Sequence, residues 1–141
     1  MKVLVADDTY VNRQILQTLL RKDGHSVVLA ENGKQAVAQF ETEQPDLIIM
    51  DLMMPEMDGK EATSLIKQRS GARFVPVIFL TAVTDEKGLT ECLASGGDDV
   101  LTKPYRLPLL RAKLSAWCRV QELHTRALEQ QQELEAYRDR S

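Results

Sequence analysis

Short apolar runs alternate with longer amphipathic stretches five times along this chain. The five runs predicted to form strands are residues 3–6, 27–30, 47–50, 76–80 and 100–102. Between these runs, apolar residues recur at helical spacing, and Gly24, Pro45 and the Gly96-Gly97 pair interrupt the pattern where helices should end. Strands that alternate with helices predict a parallel sheet covered by helices on both faces.

The expected architecture is a doubly wound α/β fold with five parallel strands in the order 2-1-3-4-5, because right-handed crossovers leave few other arrangements. The uninterrupted apolar run at 47–50 is typical of a strand buried on both faces. The last helix is expected to begin near Leu107 and to be extended, since neither Gly nor Pro follows Pro108. Its residues expected to face the sheet are Leu107, Leu110, Leu114 and Trp117. Taken alone, the pattern also permits a small redox or flavin-binding fold of the same architecture.

Composition excludes several classes of function. Of the 141 residues, 43% are hydrophobic, which is ordinary for one packed domain and argues against disorder. The net charge of −3 argues against a broad basic surface for nucleic acid. No apolar run reaches the roughly 18 residues that a membrane span needs, and the first eight residues turn acidic too early for a signal peptide. The two cysteines, Cys92 and Cys118, match no disulfide or zinc spacing, so we expect a cytoplasmic protein.

Polar residues stand directly after four of the predicted strands. Asp7 and Asp8 follow the first strand, Asp51 the third, Thr81 the fourth and Lys103 the fifth. The carboxyl ends of parallel strands lie along one edge of a sheet, and ligands bind there between the first and third strands. We therefore expect three carboxylates, a hydroxyl and an ammonium group to converge on one cleft.

These five groups also indicate which reaction the cleft could support. Three carboxylates held together repel one another, so the cluster needs a cation. Oxygen ligands without His or Cys favour a hard ion, Mg²⁺ or Mn²⁺. An ammonium and a hydroxyl group beside the ion would suit the oxygens of an incoming phosphoryl group. A carboxylate can itself be the nucleophile, and Asp51 is the best candidate because it is central and alone on its strand.

Two other functions use a similar architecture. A small phosphatase with an aspartate nucleophile would need a second acid two residues later, where this chain has Met53, which cannot transfer a proton. A flavin-binding carrier would need a phosphate-binding loop after the first strand, where Asp7 and Asp8 would repel phosphate unless a metal intervened. Metal-assisted phosphoryl transfer onto Asp51 is therefore the favoured hypothesis.

Other acidic residues are expected to be structural. Asp58 is predicted to cap the third helix, because Glu61 lies three residues later. The Asp98-Asp99 pair follows two glycines and is interpreted as a solvated turn.

Ordered motifs along residues 1–118 carry a resemblance to a known family. They are Val3-Leu4-Val5-Ala6-Asp7-Asp8, Asn12-Arg13, Asp51-Leu52-Met53-Met54-Pro55-Glu56-Met57-Asp58-Gly59, Leu80-Thr81-Ala82 and Lys103-Pro104. In order and spacing, this set resembles the receiver domain of bacterial two-component response regulators. The resemblance implies the flavodoxin-like receiver fold and a phosphorylation-controlled switch, not a conventional enzyme.

The resemblance also implies roles for the residues at the strand ends. Asp51 would accept a phosphoryl group from a phosphohistidine on a sensor histidine kinase or phosphotransfer protein. Asp7 and Asp8 would be the acidic metal pair, and Asp51 and the main-chain carbonyl of Met53 would be further ligands of Mg²⁺ (or Mn²⁺).

The loop after the fifth strand matches the family, whereas one position within that strand departs from it. The resemblance implies that Thr81 is the switch hydroxyl, that Lys103 senses the phosphate, and that the Lys103-Pro104 peptide bond is cis. Receivers usually carry Tyr or Phe three residues before the lysine, where this chain has Val100. Tyr105 is an aromatic in the wrong register to substitute simply, so signal transmission is expected to differ in detail.

Two further positions bear on the lifetime of the phosphorylated state. Met53 and Val83 stand two residues after Asp51 and Thr81, where family side chains flank the attacking water. Apolar side chains cannot orient water by hydrogen bonding. We therefore predict slow self-dephosphorylation.

Residues 119–141 form a polar tail rich in Glu, Gln and Arg. One heptad register fits, with a and d positions at Val120, Leu123, Ala127, Gln130, Leu134 and Tyr137. In that register Glu133 would face Arg138 of a parallel partner. Because isolated helices are marginal in water, we predict a signalling helix that pairs in a parallel homodimer. A solvated, fraying helix is the alternative.

The chain is expected to divide into a receiver domain at 1–118 and a signalling helix or coiled-coil linker at 119–141. The tail ends without a cap, so we expect the protein to continue into an output domain. Similar receiver-plus-helix arrangements precede nucleotide cyclases, cyclic-dinucleotide phosphodiesterases and serine/threonine phosphatases, and a DNA-binding output also remains open. The segment itself is not expected to bind nucleic acid or a membrane.

Overall fold

The computed structural model describes residues 1–82 and 84–140. Its strands are β1 (Lys2–Ala6), β2 (Ser26–Ala30), β3 (Leu47–Asp51), β4 (Val77–Thr81) and β5 (Asp99–Thr102). Its helices are α1 (Tyr10–Lys22), α2 (Gly33–Glu43), α3 (Gly59–Arg69), α4 (Glu86–Ala94) and α5 (Leu107–Arg140). All five strands pair in parallel in one sheet of order β2-β1-β3-β4-β5. The predicted doubly wound α/β fold is therefore confirmed.

Apolar side chains pack on both faces of this sheet. The central strands β3 and β4 are buried along their whole length, as strands covered on both sides must be. Successive strand residues point to opposite faces. Ile48 accordingly packs in one core with Ile66 of α3, whereas Ile49 packs in the other core with Leu16 of α1 and Leu110 of α5. The two cores hold the strand ends in fixed register.

Asp98 and Asp99 are partly buried and hydrogen-bonded to distant parts of the chain. Asp98 Oδ2 accepts hydrogen bonds from Lys67 Nζ at 2.7 Å and from the Val77 backbone N–H at 2.8 Å. Asp99 is the first residue of β5 and accepts a hydrogen bond from Trp117 Nε1 at 2.9 Å. The interpretation of this pair as a solvated turn is wrong, because its partners come from distant segments that a local pattern does not reveal.

Helix α5 is a single helix of 34 residues. Leu110 and Leu114 are buried against the sheet, and Trp117 is partly buried beside them. Leu107 is 42% exposed, so the prediction that it faces the sheet is wrong. It lies in the first turn, at the margin of the packed face, and borders a surface groove with Ile15 of α1. Within residues 1–82 and 84–140, no helix is both long and apolar enough to cross a membrane.

The tail of α5 keeps contact with the rest of the protein beyond the sheet. Gln121 is only 6% exposed, and the ring centroids of Phe74 and His124 lie 5.4 Å apart. Another side of the same helix is exposed and carries the predicted seam: Val120, Leu123, Ala127, Gln130, Leu134 and Tyr137. The tail therefore has one side against the segment before β4 and a separate exposed side with heptad spacing.

Candidate functional site

Three carboxylates meet at the carboxyl edge of the sheet, next to the switch point between β1 and β3. Asp7 directly follows β1, Asp8 is the next residue, and Asp51 is the last residue of β3. One oxygen of each carboxylate lies within 4.8 Å of the others. Asp7 and Asp51 are buried, whereas Asp8 is exposed. Asp51 lies 43 residues after Asp8 in the sequence, and the parallel sheet brings it next to the Asp7-Asp8 pair.

Lys103 and Thr81 lie at the same edge, at the ends of β5 and β4. Lys103 Nζ is 3.4 Å from Asp51 Oδ2 and 3.7 Å from Asp7 Oδ2. The Lys103 backbone N–H donates to the Thr81 carbonyl oxygen at 2.7 Å, and Thr81 is buried. The peptide bond between Lys103 and Pro104 is cis.

Asp7 is held by the loop and helix that follow it. Its Oδ1 accepts a hydrogen bond from the Thr9 backbone N–H at 2.9 Å, and its Oδ2 accepts one from Asn12 Nδ2 at 3.4 Å. The buried guanidinium of Arg13 donates from Nη1 to the Asp7 carbonyl oxygen at 2.7 Å. The sequence motifs include Arg13 but assign it no role of its own. Its place on the first turn of α1 was the available signal, because helical side chains point back toward the N-terminus.

A tight turn between β3 and α3 brings a helix end close to Asp51. The Gly59 backbone N–H donates to the Leu52 carbonyl oxygen at 2.8 Å, and a Cβ at Gly59 would lie 2.3 Å from the Asp51 carbonyl oxygen. Only glycine permits this approach. Asp58 caps α3, as predicted, because its Oδ1 accepts a hydrogen bond from the Glu61 backbone N–H at 2.8 Å.

Of the two positions predicted to flank the attacking water, the structure describes one. Met53 is in the loop after β3, and its side chain is 70% exposed. Val83 lies outside the described residues. The two residues near the usual aromatic position fall on opposite faces of the sheet: Val100 packs against the core that contains Ile48, whereas Tyr105 packs against the core that contains Ile49. Tyr105 therefore does not fill the space beside Val100.

The charged groups of the site have opposing effects on the pKa of Asp51. Burial raises the pKa of Asp51, and the negative charges of Asp7 and Asp8 raise it further, while Lys103 opposes both effects. Burial, followed by the charges of Asp7 and Asp51, also raises the pKa of Tyr105. A site with this much negative charge gains from a bound cation.

The donor set fits a hard divalent cation. The three clustered side chains offer oxygen atoms only, at a spacing that one ion can bridge. One of them, Asp8, is exposed, so the cluster is accessible from solvent. The residues present could therefore hold Mg²⁺ or Mn²⁺.

Known proteins are similar to this chain in sequence and in fold. The family model of the response regulator receiver domain matches residues 3–115. The chain is 35% identical over 122 residues to the alkaline phosphatase synthesis transcriptional regulatory protein PhoP of Bacillus subtilis, across 86% of this chain and 50% of PhoP. The chain thus spans about half the length of this curated relative.

Solved structures of response regulators are also similar to this chain. A two-component response regulator from Clostridium difficile is 30% identical with a TM-score of 0.79, over 84% of this chain and 96% of that chain. A further match comes from the co-crystal structure of the Saccharomyces cerevisiae histidine phosphotransfer signaling protein Ypd1 and the receiver domain of its downstream response regulator Ssk1. That match is 35% identical with a TM-score of 0.76, over 83% of this chain and 88% of that chain. This chain belongs to the response regulator receiver domain family.

Proposed function

We propose that this chain is a phosphorylation-dependent signalling switch whose acceptor is Asp51. The observation that carries the proposal is the position of Lys103 Nζ, 3.4 Å from Asp51 Oδ2 and beside a cluster of three carboxylates. A structural ion pair with Lys103 would need only one carboxylate. Each further acid adds repulsion between the carboxylates themselves. A bound cation and a reacting phosphoryl group account for all of these groups together.

The proposed reaction moves a phosphoryl group from a histidine to Asp51. One Asp51 oxygen forms a bond to phosphorus while the bond between phosphorus and the imidazole nitrogen breaks. The imidazole leaves with the electron pair and takes a proton from solvent. Lys103 Nζ and the Thr81 hydroxyl would bind the phosphoryl oxygens. A sensor histidine kinase or a phosphotransfer protein would be the donor, and the pairing of Ypd1 with the Ssk1 receiver in a similar structure supports this class of partner.

The proposed metal ion is Mg²⁺ (or Mn²⁺). Asp7, Asp8 and Asp51, together with the main-chain carbonyl of Met53, would hold it. When bound, the ion would neutralise charge on the transferring phosphoryl group. The protein would catalyse only its own phosphorylation and a slow dephosphorylation, as a switch and not as a conventional enzyme.

Polar side chains near the attacking water are expected to shorten the life of the phosphorylated state. In Met53→Asn with Val83→Glu, the half-life of phosphorylated Asp51 should fall by about tenfold or more, because these groups can orient or activate water. The half-life is measured by the loss of labelled phosphoryl group after the donor is removed. Thr84→Glu is the matched control, since it adds a carboxylate one residue away. A double variant that loses phosphate no faster than wild type would refute the explanation.

The tail is proposed to relay the state of Asp51 to an output domain through a parallel homodimer. The seam residues are exposed, and the buried Gln121 and the His124 ring that contacts Phe74 lie on another side of the helix, so pairing does not compete with these contacts. The greater length of relatives such as PhoP supports a further domain in the full protein. We propose a cytoplasmic location, without membrane contact or direct nucleic-acid binding by this segment.

Charges on the seam are expected to prevent pairing. Leu123→Glu with Leu134→Glu should shift the monomer–dimer equilibrium toward monomer by about tenfold or more, because two carboxylates would then face two more across the seam. Molecular mass is measured by sedimentation with and without beryllium fluoride as a phosphoryl mimic. Ala136→Glu is the control, since that residue is exposed but off the seam. A wild-type monomer in both states would contradict the coiled-coil proposal.

A further inference from the structure

The start of β5 is connected to α5 through one carboxylate. Asp99 accepts hydrogen bonds from Lys113 Nζ at 2.9 and 3.0 Å and from Trp117 Nε1 at 2.9 Å. Lys113 and Trp117 lie one helical turn apart on α5 and therefore share a face. Burial alone raises the pKa of Asp99, but the hydrogen bonds from Trp117, Lys113 and the Val100 backbone N–H outweigh it and leave the pKa lowered. Asp99 is thus held as a charged carboxylate between strand and helix.

Aromatic contacts continue from Trp117 into the tail. The ring centroid of Phe74 lies 6.3 Å from that of Trp117 and 5.4 Å from that of His124. Lys67 Nζ lies 5.1 Å from the Phe74 ring centroid and also forms an ion pair with Asp98. The part of α5 that leads into the tail is therefore fixed to the sheet at the beginning of β5.

The other end of β5 reaches the phosphorylation site. Lys103 follows β5 directly, and its ammonium group lies beside Asp51. Asp99 and Lys103 are four residues apart, about 13 Å along an extended strand. Within residues 1–82 and 84–140, β5 is an edge strand whose one strand neighbour is β4, so a single described strand resists a shift of β5 at Lys103.

We propose that Asp99 is a positioning residue that transmits the state of Asp51 along β5 to the tail, through its contacts with Trp117 and Lys113. This inference rests on the proposed phosphorylation of Asp51. It also gives this chain a route to the tail that does not use an aromatic residue at position 100, where the side chain is Val100. A rearrangement of Lys103 toward a phosphoryl group would shift β5, and the Asp99 carboxylate would carry Trp117 with it.

Fluorescence of Trp117 tests the proposal directly, because it is the only tryptophan of the chain. With Mg²⁺ and beryllium fluoride, wild-type emission should change and Asp51→Asn emission should not. In Asp99→Ala the emission change should shrink by about threefold or more, while Asp51 is still phosphorylated. Asp99→Glu, which restores the carboxylate, should recover part of the response. Asp23→Asn is the control, because Asp23 also binds α5, through Arg111, but lies outside the sheet.

A second measurement does not depend on the indole signal. Trp117→Phe keeps an aromatic ring beside Phe74 but removes the N–H group that binds Asp99. Amide exchange in residues 117–128 should respond to beryllium fluoride in wild type and lose that response in this variant.

The possible outcomes separate this inference from the function on which it rests. A wild-type chain that is phosphorylated on Asp51 without a change at Trp117 would overturn the inference and leave the proposed function standing. An Asp99→Ala variant that responds like wild type would overturn it in the same way. A chain that accepts no phosphoryl group would overturn both.

Discussion

Replacement of Asp51 by Ala or Asn is expected to lower phosphoryl incorporation by on the order of a thousandfold, because either change removes the attacking oxygen anion. Asn keeps the size of the side chain, so the buried position at the end of β3 stays filled. The measurement is incorporation of label from a small phosphodonor in the presence of Mg²⁺, followed by mass spectrometry to locate the modified residue.

The neighbouring acids make the location of the label informative. Asp7 and Asp8 each offer an oxygen within 4.8 Å of Asp51, so a slow reaction on either would appear as residual label at another position. Asp139→Asn, in the exposed tail, should incorporate label at the wild-type rate. Undiminished labelling of Asp51→Ala would refute the assignment of the acceptor.

Much of this site could be predicted because it depends on the order of the strands. Asp7, Asp51 and Lys103 each follow an apolar run, and a parallel sheet places all such positions at one edge. The prediction did not require knowledge of any side-chain contact. It required only that the alternation of runs fix the direction of every strand.

What could not be predicted are contacts made by side chains from distant elements. Asp98 and Asp99 look like turn residues in sequence, yet their partners include Lys67 of α3 and Trp117 of α5. Leu107 lies three residues before Leu110, which is helical spacing, but it is at the margin of the packed face. Helical periodicity says which residues share a face, and only the tertiary structure says how far that face is covered.

The second large effect concerns the stability of the protein without metal. Burial and the charges of Asp7 and Asp8 raise the pKa of Asp51 above its usual value of 3.8. The folded chain therefore binds this proton more tightly than the unfolded chain does. The stability due to this proton is complete below pH 3.8 and is lost as the pH rises through the raised pKa. Above the raised pKa the metal-free fold carries the whole cost of the ionised group.

Neutralising Asp51 should therefore stabilise the metal-free protein at pH 7. Asp51→Asn removes one charge from the cluster, and Lys103 Nζ keeps a carboxylate partner because Asp7 Oδ2 lies 3.7 Å away. The free energy of unfolding, measured by denaturant titration with a chelator present, should be higher for Asp51→Asn than for wild type. The difference should shrink as the pH is lowered through the raised pKa, where wild-type Asp51 takes up its proton.

Magnesium should reverse this order. At about 100 times the dissociation constant, an ion that binds only the folded state adds about 2.7 kcal/mol to the free energy of unfolding. Wild type should show this gain, whereas Asp8→Ala and Asp51→Asn should each lose most of it. Glu56→Gln is the control, since Glu56 is an exposed acid in the loop after β3 and pairs with Lys34. Equal stabilisation of Asp8→Ala and wild type would mean that the ion binds elsewhere. The clustering of the three acids would then need another explanation.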